Sequence, residues 1–110
     1  MASDLEREAR AEQAEAKFQE FEKVVKRYAL ENAELLLSKH RDYGPTNIAN
    51  APRGAMNGLT VRIHDKVARI NHLIESGKDP QHESLRDSFI DLANYSLIAL
   101  LVIDGEWDRG

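Results

Sequence analysis

From Ser3 to about Lys39 the chain contains no Gly and no Pro, and Ala, Glu, Lys, Arg and Leu dominate. These are the residues that lose least on entering a helix, so the segment reads as one long helix with Phe18 the place for a bend or break. Ser3-Asp4-Leu5-Glu6 has the form of a capping box, with Ser3 as N-cap and Glu6 reaching back. Between Glu6 and Lys17 the only apolar residues are Ala, with Leu5 just before. That half cannot bury much within its own domain, and it is expected to be a solvated extension or an arm on another subunit. Phe18, Phe21, Val25, Tyr28 and Leu35 follow at 3-4 spacing, with Asn32 in the remaining slot. The stripe is either a core-facing edge or a coiled-coil seam. Residues 1–17 therefore read as a helical extension and 18–110 as a single domain.

His40–Gly58 is rich in Gly, Pro and Asn and reads as a long loop. Loops of that length in a small domain usually carry function, and this one holds Tyr43, Asn47 and Arg53. A second helix is expected over Leu59–Ser76, stopped by Gly77. Its core face would be Ile63, Val67, Ile70 and Ile74, leaving Arg62, Asp65, Lys66 and Arg69 as a polar side. A last helix is expected over Gln81–Asp104. No strand pattern is visible. The fold class is all-α: a long N-terminal helix plus an antiparallel helical bundle. The last helix is apolar on nearly all sides from Phe89 to Ile103, more than a small monomer easily covers, so a homo-oligomer is expected.

Within that apolar helix stands Asp91. Asp87 is one turn earlier, and Asn94 and Tyr95 follow on the same side at about 100° per residue. An ionised carboxylate is costly to bury unless it is paired, hydrogen-bonded or metal-bound. Glu83, Asp87 and Asp91 are spaced i, i+4, i+8, and Asp65 lies on the helix expected to pack beside them. Hard cations such as Mg²⁺ take carboxylate oxygens, so Asp65, Glu83, Asp87 and Asp91 are candidate metal ligands. The alternative is ion pairing of Asp65, Asp87 and Asp91 with Arg62, Lys66 or Arg69.

The totals narrow the class. Net charge is −4 with a pI near 5.5, which disfavours duplex DNA as a partner. There are no cysteines, hence no disulfides or thiolate metal sites. The four histidines form no HExxH or HxxxH pattern, and no P-loop, GxGxxG or GxSxG is present. Neither a secretory leader nor a run long enough for a bilayer is apparent, so a cytoplasmic protein without a membrane partner is expected.

Three blocks carry a resemblance: Lys39-His40-Arg41-Asp42-Tyr43-Gly44, then Gly58-Leu59-Thr60-Val61-Arg62-Ile63-His64-Asp65-Lys66-Val67-Ala68-Arg69-Ile70, then Asp87-Ser88-Phe89-Ile90-Asp91-Leu92-Ala93-Asn94-Tyr95. Over roughly Lys39–Trp107 the chain resembles the first of the nucleotide-modification-associated domain families, small helical proteins seen mainly in phages. That family looks similar in layout to the MazG-type all-α NTP pyrophosphatases, which bind Mg²⁺ through ExxE and ExxD pairs. This chain departs from that pattern, with a single acid, Asp65, on the second helix and Asp87 and Asp91 at i+4.

The resemblance implies a nucleotide or nucleotide-derived small molecule as partner. In an enzyme, Asp65, Asp87 and Asp91 would be catalytic, holding Mg²⁺ with Glu83 for hydrolysis or modification of a (d)NTP. Arg62, Lys66 and Arg69 would hold phosphates, Tyr43 would stack on the base, and Asn47 and Arg53 would read its edge. Asn94 and Tyr95 complete that nucleotide-facing set. In a non-catalytic binder that sequesters a host-defence signal nucleotide, the acids would only position the cations. A helical assembly module is the third expectation.

Overall fold

The computed structural model describes residues 3–109, all of them helical or in connections, with no strand among them. In chain order the helices are α1 (Asp4–Tyr43), α2 (Thr46–Ala49), α3 (Ala55–Ser76) and α4 (Leu85–Ile103), followed by a single 3₁₀ turn at Trp107–Arg109. The chain divides into two compact units, Met1–Glu31 and Asn32–Gly110. Among the described residues no helix is long and apolar enough to cross a membrane.

Ser3 caps α1: its Oγ accepts from the Glu6 N–H at 3.1 Å and its carbonyl from Arg7 N–H at 3.0 Å. The helix runs through Phe18 without a break. Nothing in the segment interrupts the ladder, and exposed pairs such as Lys23–Glu20 (3.2 Å) and Lys26–Glu22 (3.5 Å) add the small support of adjacent turns. It also continues past Lys39 to Tyr43. The stop is Gly44, whose φ of 68° is left-handed and whose N–H donates to the His40 carbonyl at 2.8 Å.

The long loop expected over His40–Gly58 is a correction. Its first residues belong to α1, Thr46–Ala49 forms the one-turn α2, and α3 begins at Ala55. Pro45 precedes α2 at φ −85°, a value its ring favours and a helix start accepts. The segment is held down by Ile48, buried to 3% exposure, and by Trp107, whose indole N–H donates to the Pro45 carbonyl at 3.0 Å. Gly58 lies inside α3 because α3 passes close to the preceding turn. A Cβ built there would stand 2.6 Å from Ala51 Cβ.

α3 and α4 form the main helix pair. They are antiparallel: Arg62 meets Tyr95, Lys66 meets Asp91 and Arg69 meets Glu83. The inward face of α3 differs in phase from the expected stripe. Leu59 and Ile70 are buried and Ile63 and Leu73 half-buried, but Val67 and Ile74 are exposed. Lys66 and Arg69 thereby turn partly inward rather than to solvent. α4 starts at Leu85 rather than Gln81, because Ser84 and Asp87 make a reciprocal capping box: Asp87 N–H to Ser84 Oγ at 3.0 Å, Ser84 N–H to Asp87 Oδ2 at 3.3 Å. The core joins Ile48, Leu59, Ile98 and Trp107, with Leu36, Tyr95 and Val102 packed around it.

Candidate functional site

The acids of α4 have separate fates. Asp87 is exposed and engaged in the cap. Asp91, three residues beyond the buried Ser88, points at two lysines. Lys66 Nζ of α3 lies 3.0 Å from Asp91 Oδ2, and Lys39 Nζ of α1 lies 3.5 Å from Asp91 Oδ1. The same Lys66 ammonium donates to Glu83 Oε1 at 2.6 Å. Arg69 closes the far side, with Nε 3.0 Å from Glu83 Oε2 and Nη2 donating to the Glu83 carbonyl.

Burial raises the Asp91 carboxyl, but the Lys66 hydrogen bond and the Lys39 and Lys66 charges outweigh it and hold the group below the usual carboxylate range. Burial likewise lowers the Lys66 ammonium, and its hydrogen bonds to Glu83 and Asp91 reverse that and raise it. Both groups are charged at neutral pH.

This arrangement does not suit the metal site considered from the sequence. A Mg²⁺ ion needs several convergent oxygens. Glu83 and Asp91 converge on an ammonium instead, Asp65 is exposed on α3, and Asp87 serves the cap. Among the described residues no three His, Asp or Glu side chains are grouped to hold an ion.

A cavity of about 280 Å³ lies next to this network, between the last turns of α1, α2, α3 and α4. Asp91 and Lys39 form part of its wall. Of the residues expected to face a nucleotide, Tyr43, Asn47, Arg62, Asn94 and Tyr95 all line it. Lys66 and Arg69 do not: Lys66 lines a separate, more open recess with Glu83, Asp87 and Asp91. Arg53 stands in the exposed turn before α3 with φ 66°, also off the cavity wall.

The cavity's polar groups are fixed to different degrees. Asn94 is 8% exposed, and its Nδ2 donates to the Asn32 carbonyl at 3.2 Å, which leaves its amide oxygen as an acceptor. Arg62 is anchored by Nη2 to the Asn47 carbonyl at 3.4 Å and lies 5.9 Å over the Tyr95 ring, in cation–π range. His40 packs edge-on against Trp107 with ring centroids 4.7 Å apart. The Tyr43 ring, 66% exposed, stands at the mouth.

Lys39, His40 and Trp107 are wall residues that sequence reasoning did not single out. For the first two a signal existed: once α1 is carried through to Tyr43, Leu36, Lys39, His40 and Tyr43 fall on one face. Trp107 gave none, since a short tail after a terminal Gly carries no periodicity.

No curated protein and no solved structure matches the chain. Residues 39–103 match the model of a family described as nucleotide modification associated domain 1. That span contains every cavity-lining residue named above except Leu36 and Trp107, and it covers more than half of the sequence, so the chain belongs to the nucleotide modification associated domain 1 family.

Proposed function

We propose that the protein binds a nucleotide, or a small molecule derived from one, in the cavity walled by Tyr43, Asn47, Arg62, Asn94 and Tyr95, and that binding needs no metal. The observation that carries this reading is the convergence of those five side chains on one concavity in a domain of this family. Its volume is near the small end of ligand pockets, roughly 300–1,000 Å³, which suits a base and sugar with phosphates at the mouth.

The chemistry on the wall fits each part of such a ligand. An aromatic ring at the mouth, Tyr43, offers a stacking surface that any base can use. The Asn47 amide supplies donors and an acceptor for a base edge, and the Asn94 amide oxygen supplies an acceptor deeper in. Arg62 and Lys39 supply positive charge, and the planar guanidinium suits a phosphate bidentately. Asp91 keeps Lys39 oriented along the wall at 3.5 Å.

Binding is favoured over hydrolysis because Lys66, rather than open coordination space, lies between Glu83 and Asp91. Thermal-shift titration with nucleoside mono-, di- and triphosphates, run in EDTA and in Mg²⁺, tests this directly. A ligand that stabilises the protein in EDTA and is recovered intact by chromatography supports the proposal. Stabilisation confined to Mg²⁺, with a cleaved product, supports a pyrophosphatase-type enzyme instead, and no stabilisation by any nucleotide refutes both.

A further inference from the structure

The N-terminal unit offers a second, independent surface. None of the described residues of α1 is buried, and Phe18, Phe21, Val25 and Tyr28 are 58%, 64%, 49% and 51% exposed. These four residues are the a, d, a and d positions of a heptad frame. The same frame extended towards the N-terminus puts Ala14 at d and Ala11 at a, so the small-residue half of α1 is in register with the aromatic half. Leu30, at 59% exposure, falls outside the seam.

The flanking charges identify the occupant. Glu8, Glu15 and Glu22 occupy successive e positions, and Arg10 and Lys17 occupy the g positions between them. In a parallel pair of identical helices each g residue faces the e′ residue five positions on, so Arg10 meets the second copy's position 15, and Lys17 its position 22, both Glu. In an antiparallel pair e faces e′ and g faces g′, which sets Glu against Glu and cation against cation. The helix is self-complementary in one orientation only.

The geometry points to a parallel, in-register two-stranded coiled coil formed by α1 of this chain with α1 of a second copy, its seam running from Ala11 to Tyr28. The pairing covers the aromatic stripe that α1 leaves exposed and is independent of the cavity in the C-terminal unit.

The test uses the full-length protein. Sedimentation equilibrium is expected to give a dimer, and Phe21→Glu a monomer of unchanged helicity by circular dichroism. Lys17→Glu should raise the dimer dissociation constant on the order of tenfold, and adding Glu22→Lys to it should restore the original value. Orientation is read separately. The sequence has no cysteine, so Ala14→Cys under oxidation should cross-link 14 to 14′ in a parallel coil. A wild-type monomer, a Phe21→Glu dimer, or a dimeric Ala14→Cys protein that does not cross-link would each overturn the proposal.

Discussion

Lys66 of α3 reaches across to Asp91 of α4, with its ammonium 3.0 Å from the carboxylate and side-chain exposures of only 18% and 22%. The acid that stands out in an apolar helix is therefore paired, and the pair is braced by Glu83 on one side and Lys39 on the other. Removing one partner of such a pair strands the other. Lys66→Met leaves Asp91 with only Lys39 and Glu83 with only Arg69, and should cost about 2 kcal/mol, below the roughly 3–5 kcal/mol of a fully buried pair. Asp91→Asn keeps a hydrogen-bonding group and should cost about half as much. Urea unfolding followed by circular dichroism measures both, and a Lys66→Met protein as stable as wild type would mean the pair contributes nothing.

The same pair fixes the direction of the pH dependence. Asp91 is held below its usual value in the folded state, so its contribution is fully present above the unfolded carboxylate pKa and is lost as pH falls through the lower folded value. Lys66 is raised, so its contribution is present below the ordinary lysine pKa and is lost as pH rises through the higher folded value. Between those limits this network should leave stability flat. Melting temperatures measured from pH 3 to pH 11 should fall at both ends, and Asp91→Asn should flatten the acid limb. An acid limb identical in the two proteins would assign it to other carboxylates.

The elements written in the sequence are those with uninterrupted helix formers or a clear stop: α1 in its body, α3 from Leu59 to its stop at Gly77, and α4 to its end. What was hidden follows from two physical ambiguities. α3 carries apolar residues on more than one side, Val67 and Ile74 outward and Leu59 and Ile70 inward, so periodicity gave a helix but the wrong phase. That phase decides whether Lys66 is a solvated cation or the partner of Asp91. The breakers between His40 and Gly58 signal turns whether the segment is loose or packed, and long-range contacts, the burial of Ile48 and the bond from Trp107 to Pro45, distinguish the two. The sequence offered Tyr43, Asn47, Arg62, Asn94 and Tyr95 together with Arg53, Lys66 and Arg69, and of these eight only the first five line the cavity. Their common cavity was not legible, because it depends on α1 extending to Tyr43 and on the fold of α2.

Gly58 separates helix propensity from packing. In the interior of an exposed helix, Gly→Ala stabilises by up to about 1 kcal/mol. Here the added methyl would meet Ala51 Cβ at 2.6 Å, closer than carbon atoms pack. Gly58→Ala should therefore destabilise by about 1–3 kcal/mol as the turn after α2 is forced away from α3. The double substitution with Ala51→Gly should recover most of that loss. A higher melting temperature for the single variant would show that the turn yields freely and that the close approach does not constrain the fold.

Trp107 joins the core to the cavity and is the sole tryptophan, so its fluorescence reports on both. Its indole N–H holds the Pro45 carbonyl and its ring packs against His40. Trp107→Phe keeps most of the apolar contact and loses that hydrogen bond, at a cost of about 1 kcal/mol, with the Pro45 carbonyl left short of a donor. Trp107→Ala removes the ring and should cost about 3–5 kcal/mol. A nucleotide seated against the cavity wall alters the surroundings of the indole, so titration of the wild-type protein should quench or shift its emission with the same midpoint as the thermal stabilisation. Arg62→Ala should move both midpoints together to higher ligand concentration while leaving the unliganded emission unchanged. Stabilisation by a nucleotide with no change in Trp107 emission would place the ligand elsewhere and remove the cavity from the proposal.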